Sequence, residues 1–294
     1  MEQANQLVME ARTAPAKSAE RADSIRSILF HVHDDEGLES RLQSALSMAR
    51  ACSAHLKLLQ VIPVEAYTVT DVYGGAFVSG EIVEALQEEA DKLRLRIEEH
   101  LRKEDVSWNF ECVTSAIVPE LLQNAAFSDL IFIGRQPNFH EFSRTGLSLL
   151  GELVCSARTP ICIPGEGAKT FDPFGRAVVA WNGSIEAANT VRETIALLKM
   201  SADVRIVRFT ENKETLLGDT DLLEYLSRHD VHAQLETHLP GSDASSALVD
   251  FGRRLGAEYL VMGGYSHSRA GEFLFGGVTR ELLGACDISL VMGH

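Results

Sequence analysis

The segment with the clearest chemical potential is VMGGYSHSRAGEFLFGGVTRELL, which occupies residues 261–283. An apolar run that is typical of a buried strand ends at Gly263, a polar loop follows, and Gly276 and Gly277 precede the pattern of a helix. Glycines let backbone N–H groups approach an anion, and the first turn of a helix adds unpaired N–H donors and a favourable dipole. The spacing therefore indicates a candidate phosphate site at the end of a strand.

A second group of chemistry-bearing residues is His31 and His33, at the end of another apolar run. Alternation along a strand places both imidazoles on one face, where they could bind a metal as in a metal-dependent hydrolase. A catalytic zinc ion needs a third protein ligand, and the other histidines show no ligand spacing. We interpret the pair as two partly exposed histidines and assign no metal ligand. No catalytic residue is assigned either, because Ser184 does not stand in a G-x-S-x-G motif.

The elements that must position these residues follow an alternating strand and helix pattern, which occurs twice. The predicted strands are 28–33, 55–62, 106–113, 130–134 and 161–163, then 177–181, 204–209, 231–238, 259–263 and 289–292. Helical patterns lie between them, including one long helix over Ile185–Lys199 and a last one over Val278–Ala285. This alternation predicts an α/β fold of two tandem five-stranded parallel-sheet domains with helices on both faces.

The two halves also repeat one another in sequence. At an offset of 129, Leu130–Gly134 falls on Tyr259–Gly263, and Ile161–Ile163 falls on Leu290–Met292. We predict a flexible tail (1–24), a first domain (25–164), a linker (165–175) and a second domain (176–294). The last strand of each copy is short, apolar and at a sheet edge, so we expect the two to pair antiparallel.

Composition limits the partners. Lys and Arg number 27 against 42 Asp and Glu, which gives a formal net charge of −15, so nucleic acid and anionic membranes should be repelled. No apolar run approaches the ~20 residues of a membrane span, and the first 26 residues resemble no secretory signal. The five cysteines form no C-x-x-C pair, which argues against a structural zinc site or a disulfide framework. We expect a cytoplasmic protein without nucleic-acid or membrane partners.

Residues 261–283, together with VVAWNGSIEAA at residues 178–188, resemble the universal stress protein family. The nucleotide loop of that family reads G-x2-G-x9-G-[S/T], and Gly263, Ser266 and Gly276-Gly277 keep its spacing. The resemblance covers residues 26–293 as two copies of the family's domain. It implies a cytoplasmic Rossmann-like fold of the adenine nucleotide alpha hydrolase type, ATP binding in some members, and dimers formed through the last strand.

The resemblance also implies the ATP contacts of the second copy. They are Ala180 and Asn182 for adenine and ribose, Met262 and Gly263 for ribose and phosphates, and Ser266, Gly276, Gly277, Val278 and Thr279 for the phosphate loop. Two positions depart from the family pattern, because Ser266 replaces the second glycine and Gly277 replaces the Ser/Thr.

The first copy departs further from the family pattern. Pro137 removes a backbone donor and Leu147 obstructs the start of the helix, so we expect ATP in the second domain only. The adenine-side position of this copy is His33 or Asp34, depending on whether the strand or the following helix sets the register.

Three functional interpretations remain open at this point. The leading one is a non-catalytic stress-response regulator that binds ATP in its second domain and works through intramolecular pairing of its domains, a homodimer or a regulatory protein partner. The second is a nucleotide-free scaffold of the same fold. The third is a metal-dependent hydrolase that uses His31 and His33.

Overall fold

The structure is a computed structural model that describes residues 25–63, 68–70, 76–78, 80–135, 149–165, 170–209, 216–238, 244–264, 279, 281–283 and 286–294. The N-terminal half, up to residue 165, contains β1 (Ser27–Val32), α1 (Leu38–Cys52), β2 (His55–Pro63), β3 (Thr68–Thr70), β4 (Ala76–Val78), α2 (Gly80–Leu101), β5 (Ser107–Ser115), α3 (Ile117–Ala125), β6 (Leu130–Phe132), α4 (Leu149–Ser156) and β7 (Ile161–Ile163). The short antiparallel hairpin β3–β4 is not among the predicted elements.

The C-terminal half, from residue 170, contains β8 (Arg176–Ala180), α5 (Ile185–Glu193), α6 (Ile195–Met200), β9 (Asp203–Phe209), α7 (Asp219–Arg228), β10 (Ala233–His238), α8 (Ala244–Leu255), β11 (Tyr259–Gly263) and β12 (Ser289–Gly293). The single helix predicted over Ile185–Lys199 is wrong, since Thr194 separates α5 from α6. The Thr194 hydroxyl donates to the backbone oxygen of Thr190 at 2.7 Å, and this type of bond bends helices.

The described strands other than β3 and β4 form one sheet in the order β10-β9-β8-β11-β12-β7-β6-β1-β2-β5. Numbered along the chain, the five strands of each half follow the same order, 3-2-1-4-5, with parallel neighbours. The halves meet where β7 and β12 pair antiparallel, with Val291 opposite Cys162, which is the pairing expected for these two strands. The predicted α/β class is confirmed, and these ten described strands form one large, mostly parallel sheet.

Helices cover both faces of the sheet, because parallel strands are apolar on both sides. One core contains apolar residues of α1, α2, α5, α6 and α7, and the other contains apolar residues of α3, α4 and α8. Phe171, within the predicted linker, is fully buried against Phe132 and Tyr259, one from each half. Among the described residues, no helix is long and apolar enough to cross a membrane.

Candidate functional site

The candidate site lies where the strand order of the C-terminal half reverses. The chain leaves β8 toward β9 on one side, whereas β11 leads to β12 on the other. Ligands of open α/β sheets bind in the crevice outside the carboxyl ends of the strands at such a point. Ala180, the last residue of β8, lies opposite Met262 of β11 in the sheet register. The structure therefore brings the predicted residues Ala180, Met262 and Gly263 to one edge of the sheet.

The turn after β8 holds Asn182 and the start of α5 in a fixed geometry. The side-chain oxygen of Asn182 accepts a hydrogen bond from the backbone N–H of Ser184 at 3.0 Å. The Ser184 hydroxyl then accepts from the backbone N–H of Ala187 at 3.1 Å and caps α5. Gly183 between them has φ of 70°, a conformation that glycine adopts without steric cost. As a result the exposed Asn182 and the positive end of α5 are both held at the carboxyl end of β8.

Gly263 has a structural requirement of its own. A Cβ atom at this position would lie 2.7 Å from the backbone nitrogen of Ala187 and 2.9 Å from the carbonyl carbon of Glu186. Both atoms belong to the first turn of α5, so only glycine allows the helix to approach the end of β11 this closely. The glycine at the end of the strand thus sets how near the helix N-terminus comes to the site.

The remaining predicted residues divide into two groups. Thr279 is described and buried. Ser266, Gly276, Gly277 and Val278 lie outside the described residues.

The N-terminal half contains the equivalent site, and the sheet register aligns the two. Ile28 lies opposite Leu130 in the same way that Ala177 lies opposite Tyr259. Counting along the strands from these pairs, His31 corresponds to Ala180 and His33 corresponds to Asn182. Of the two registers that the sequence left open, the structure therefore has the one that aligns His33, and not Asp34, with Asn182.

Arg41 of α1 fills the space beside this second set of strand ends. Its guanidinium makes two hydrogen bonds of 3.1 Å with the carboxylate of Asp35, and a third of 3.1 Å with the backbone oxygen of His33. The Arg41 side chain is only 4% exposed. A Cβ atom on Gly134 would lie 2.5 Å from Arg41 Nη1, so the side chain packs directly against that backbone. Gly134 is the counterpart of Gly263, and an ion pair of the chain itself occupies this position.

His31 differs from its interpretation as a partly exposed histidine. Its ring is 1% exposed and lies parallel to that of His33, with ring centroids 6.3 Å apart. Burial, with smaller contributions from His33 and Arg41, lowers the pKa of His31 to about 3, so the imidazole is neutral. Its Nδ1 atom has no hydrogen-bond partner among the described residues. The interpretation failed because alternation predicts which face a strand residue occupies and not how deeply that face is covered.

Metal chemistry receives no support at this position. Within the described ranges, no three His, Cys, Asp or Glu side chains converge in a way that could hold a metal ion. Two imidazoles, buried at His31 and partly exposed at His33, do not favour the metal-dependent hydrolase without a third ligand.

Two residues near the strand ends were missed in the sequence. Arg41 lies on the apolar stripe of α1 formed by Leu38, Leu42 and Ala45, and a cation on such a stripe is a sequence signal from which it could have been predicted.

Glu193 of α5 is the second residue, and the sequence carried no comparable signal for it. Its Oε2 atom is buried without a partner in the described part of the chain, and a Cβ atom on Gly293 would lie 2.6 Å from it. Burial raises the pKa of this carboxyl to about 7, opposed by Arg192, Arg158 and His294.

Comparison with known proteins gives a likeness in structure. No protein-family model matches the chain, and no curated protein matches it in sequence. A universal stress protein from Archaeoglobus fulgidus DSM 4304 superposes with a TM-score of 0.69 at 13% identity, covering 92% of this chain and 97% of that one.

Two chains from Pseudomonas aeruginosa are also similar in structure. A putative universal stress protein of strain UCBPP-PA14 gives a TM-score of 0.52 at 16% identity, covering 92% of this chain and 94% of its own. A protein of unknown function from strain PAO1 gives 0.54 at 15% identity, with 92% and 93% covered. The resemblance seen in the sequence is thus confirmed at the level of the fold, since the chain has the α/β fold of universal stress proteins over most of its length.

Proposed function

We propose that this chain is a cytoplasmic, non-catalytic regulator of the stress response that binds one ATP molecule, in its C-terminal half. Ala180 and Asn182 would contact adenine and ribose, and Met262 and Gly263 would contact ribose and the phosphates. The phosphate loop would be formed by Ser266, Gly276, Gly277, Val278 and Thr279. The resemblance to universal stress proteins supports these roles.

One observation carries the proposal, the asymmetry between the two sets of strand ends. At the equivalent positions, the C-terminal half has the small side chain of Ala180 and the backbone of Gly263 beside the N-terminus of α5. The N-terminal half has the His31 imidazole and the Arg41–Asp35 ion pair. A nucleotide phosphate is favoured by backbone N–H groups at a helix N-terminus. The C-terminal half leaves that end of α5 beside a glycine, whereas the N-terminal half fills the equivalent space with side chains.

Pairing of the two halves is part of the proposal. Universal stress proteins resemble this chain, and the resemblance implies dimers formed through the last strand. We propose that β7 and β12 make the same contact within one chain, and that a homodimer or a regulatory protein uses another surface. The predicted domains, 25–164 and 176–294, would be the two partners of this intramolecular pair.

The alternative is a nucleotide-free scaffold of the same fold. The observation that favours it is that the Asn182 oxygen already accepts a hydrogen bond from the backbone N–H of Ser184, and a ribose hydroxyl would compete with that bond. Ser266 and Gly277 would then be the residues at which binding was lost.

Titration calorimetry with ATP tests the proposal through a matched pair of variants. Ala180→His places in the C-terminal half the residue that the N-terminal half has, and His31→Ala makes the reciprocal change. We expect the wild type and His31→Ala to bind one ATP per chain, and Ala180→His to bind none while retaining its cooperative thermal unfolding. Two equivalent sites, or unchanged affinity in Ala180→His, would contradict the proposal. No binding by the wild type would favour the scaffold.

A further inference from the structure

A cavity of about 170 Å³, open to solvent on one side, lies between α5 and α7. Its walls include Trp181, Ala188 and Val191 on one side, and Leu217, Leu222 and Tyr225 on the other. Trp181 follows Ala180 at the end of β8, and successive strand residues point to opposite faces. Accordingly, Trp181 packs in the core of α5 and α7, whereas Ala180 packs against the core of the opposite face. The cavity is a separate feature of the sheet's other side.

The walls of the cavity are mainly apolar. Trp181, Val191 and Leu222 are at most 5% exposed, and they form its interior with the methyl group of Ala188. The two charged residues in its lining, Arg192 and Asp221, are exposed and carry opposite signs. An ionic ligand would lose hydration inside such walls without a buried partner, so the interior favours a neutral molecule.

The polar atom of Trp181 is already satisfied. Its indole Nε1–H donates to Asp219 Oδ1 at 3.0 Å, and the same carboxylate forms an ion pair with Arg208. A buried tryptophan whose N–H is bonded presents only its ring to the cavity. The indole thus offers the cavity an aromatic surface whose hydrogen-bond donor is already used.

Neighbouring contacts hold the opposite wall in place. The backbone N–H of Leu217 donates to the oxygen of Gly183 at 3.0 Å, which ties this segment to the turn after β8. The ring of Tyr225 packs on that of His229, with centroids 4.6 Å apart. These contacts restrict the wall of Leu217 and Tyr225 before a ligand enters, which reduces the conformational entropy that is lost on binding.

We propose that this cavity binds one small, neutral aromatic molecule. An enclosed apolar cavity of about 150 Å³ binds benzene, so the volume of this half-open cavity is enough for a single substituted ring. Rings of Trp181 and Tyr225 on the two walls favour a planar guest through stacked or edge-to-face contacts. The proposal does not rest on the proposed nucleotide site.

Tryptophan fluorescence tests the proposal with toluene as the probe. The chain has two tryptophans, and Trp108 lies in β5 of the other half, so a Trp108→Phe background reports on Trp181 alone. We expect a saturable change in Trp181 emission and a rise in melting temperature with toluene. In that background, Ala188→Phe should fill the cavity and weaken binding at least tenfold. Thr220→Phe, an exposed position on α7, adds the same ring outside the cavity and should leave affinity unchanged.

Methyl chemical shifts of the wild type give a second measurement that does not depend on a substituted cavity. Toluene should shift the methyl resonances of Val191 and Leu222 with the same dissociation constant as the fluorescence change. Benzoate should bind at least tenfold more weakly than toluene. A response that does not saturate, equal affinity in Ala188→Phe, unshifted methyl groups, or tighter binding of benzoate would each overturn the proposal.

Discussion

The guanidinium of Arg41 rests on the backbone of Gly134, so closely that one added carbon on the glycine would fall 2.5 Å from Nη1. In the other half, the first turn of α5 rests on Gly263 in the corresponding position. Two equivalent glycines therefore accommodate different groups, a side-chain cation in one half and a helix backbone in the other. This difference is the basis of the first two predictions.

Removing the buried cation should destabilise the chain. Arg41→Ala leaves the Asp35 carboxylate, 26% exposed, without the cation that it contacts, and breaking a buried ion pair in this way costs about 3 kcal/mol. Arg96→Ala is the control, because Arg96 and Asp34 form an ion pair with both side chains more than 60% exposed, worth less than about 1 kcal/mol. Urea unfolding measures the free energy of unfolding of both variants and of the wild type. Equal losses in the two variants would show that the burial of Arg41 is energetically unimportant.

Adding a methyl group to Gly263 should lower the free energy of unfolding more than adding one to a glycine with open space around it. In Gly263→Ala the new carbon meets backbone atoms of Ala187 and Glu186, which move only with the helix, so we expect a loss of about 1–3 kcal/mol. Gly80 is the matched control, since a Cβ there would have no neighbour within 4 Å. Thermal unfolding of Gly263→Ala and Gly80→Ala compares them. A Gly263→Ala variant as stable as the wild type would refute the tight packing of α5 on β11.

The free energy of unfolding should depend on pH through His31. The pKa of this imidazole is about 3 in the folded chain and 6.5 when exposed, so between these values only the unfolded chain binds the proton. Stability present above pH 6.5 is therefore lost as the pH falls toward 3, by about 1.4 kcal/mol per pH unit. His31→Leu lacks this dependence, and its stability relative to the wild type should rise as the pH falls. A constant difference from pH 7 to pH 4 would rule out a buried neutral imidazole.

The pH dependence of the free energy of unfolding that comes from Glu193 should have the opposite sign. Its pKa is raised from 4.5 to about 7 in the folded chain, so stability present below pH 4.5 is lost as the pH rises through 7. The carboxyl is only half-buried, and solvent screening keeps this slope below about 1.4 kcal/mol per pH unit. The stability of Glu193→Gln relative to the wild type should therefore rise between pH 4.5 and pH 7 and then level off. Urea unfolding at half-unit intervals measures it, and a flat or falling difference would contradict the prediction.

The antiparallel contact between the halves can be tested by a cross-link. Val291 and Cys162 are partners in the register of β12 and β7, and paired strand residues have Cα atoms within the range that a disulfide spans. After oxidative refolding, Val291→Cys should form a disulfide with Cys162, detected by mass spectrometry of unreduced peptides. In the control Leu290→Cys, the new residue faces Ile163, so that link should not form. Equal cross-linking in both variants would show that this register is not maintained in solution.

Much of the sheet could be predicted from the sequence, because buried parallel strands are short apolar runs with turn residues at both ends. The bounds predicted for β7 and β11 agree with the structure. The hairpin of β3 and β4 was missed, since three-residue strands carry too few residues to show a period. The break at Thr194 was missed because the apolar pattern continues through it.

The site was less predictable than the sheet. The resemblance placed Ala180, Met262 and Gly263 together, which follows from strand order and register. The ion pair of Arg41 was not predictable, since Asp35 lies six residues earlier in a turn whose path depends on the packing of α1. His31 was assigned to the correct face, but its depth depends on the tertiary packing around the end of β1, which local periodicity does not encode.

The junction of β7 and β12 has a consequence for how the two halves associate. When such strands belong to separate chains, the fraction paired falls as the protein is diluted. Here both strands are covalently connected, so each meets the other at a local concentration set by the intervening chain and not by the amount of protein in the cell. The joined sheet should therefore persist at low expression levels. In addition, β7 and β12 can differ in sequence, because neither strand has to pair with an identical copy.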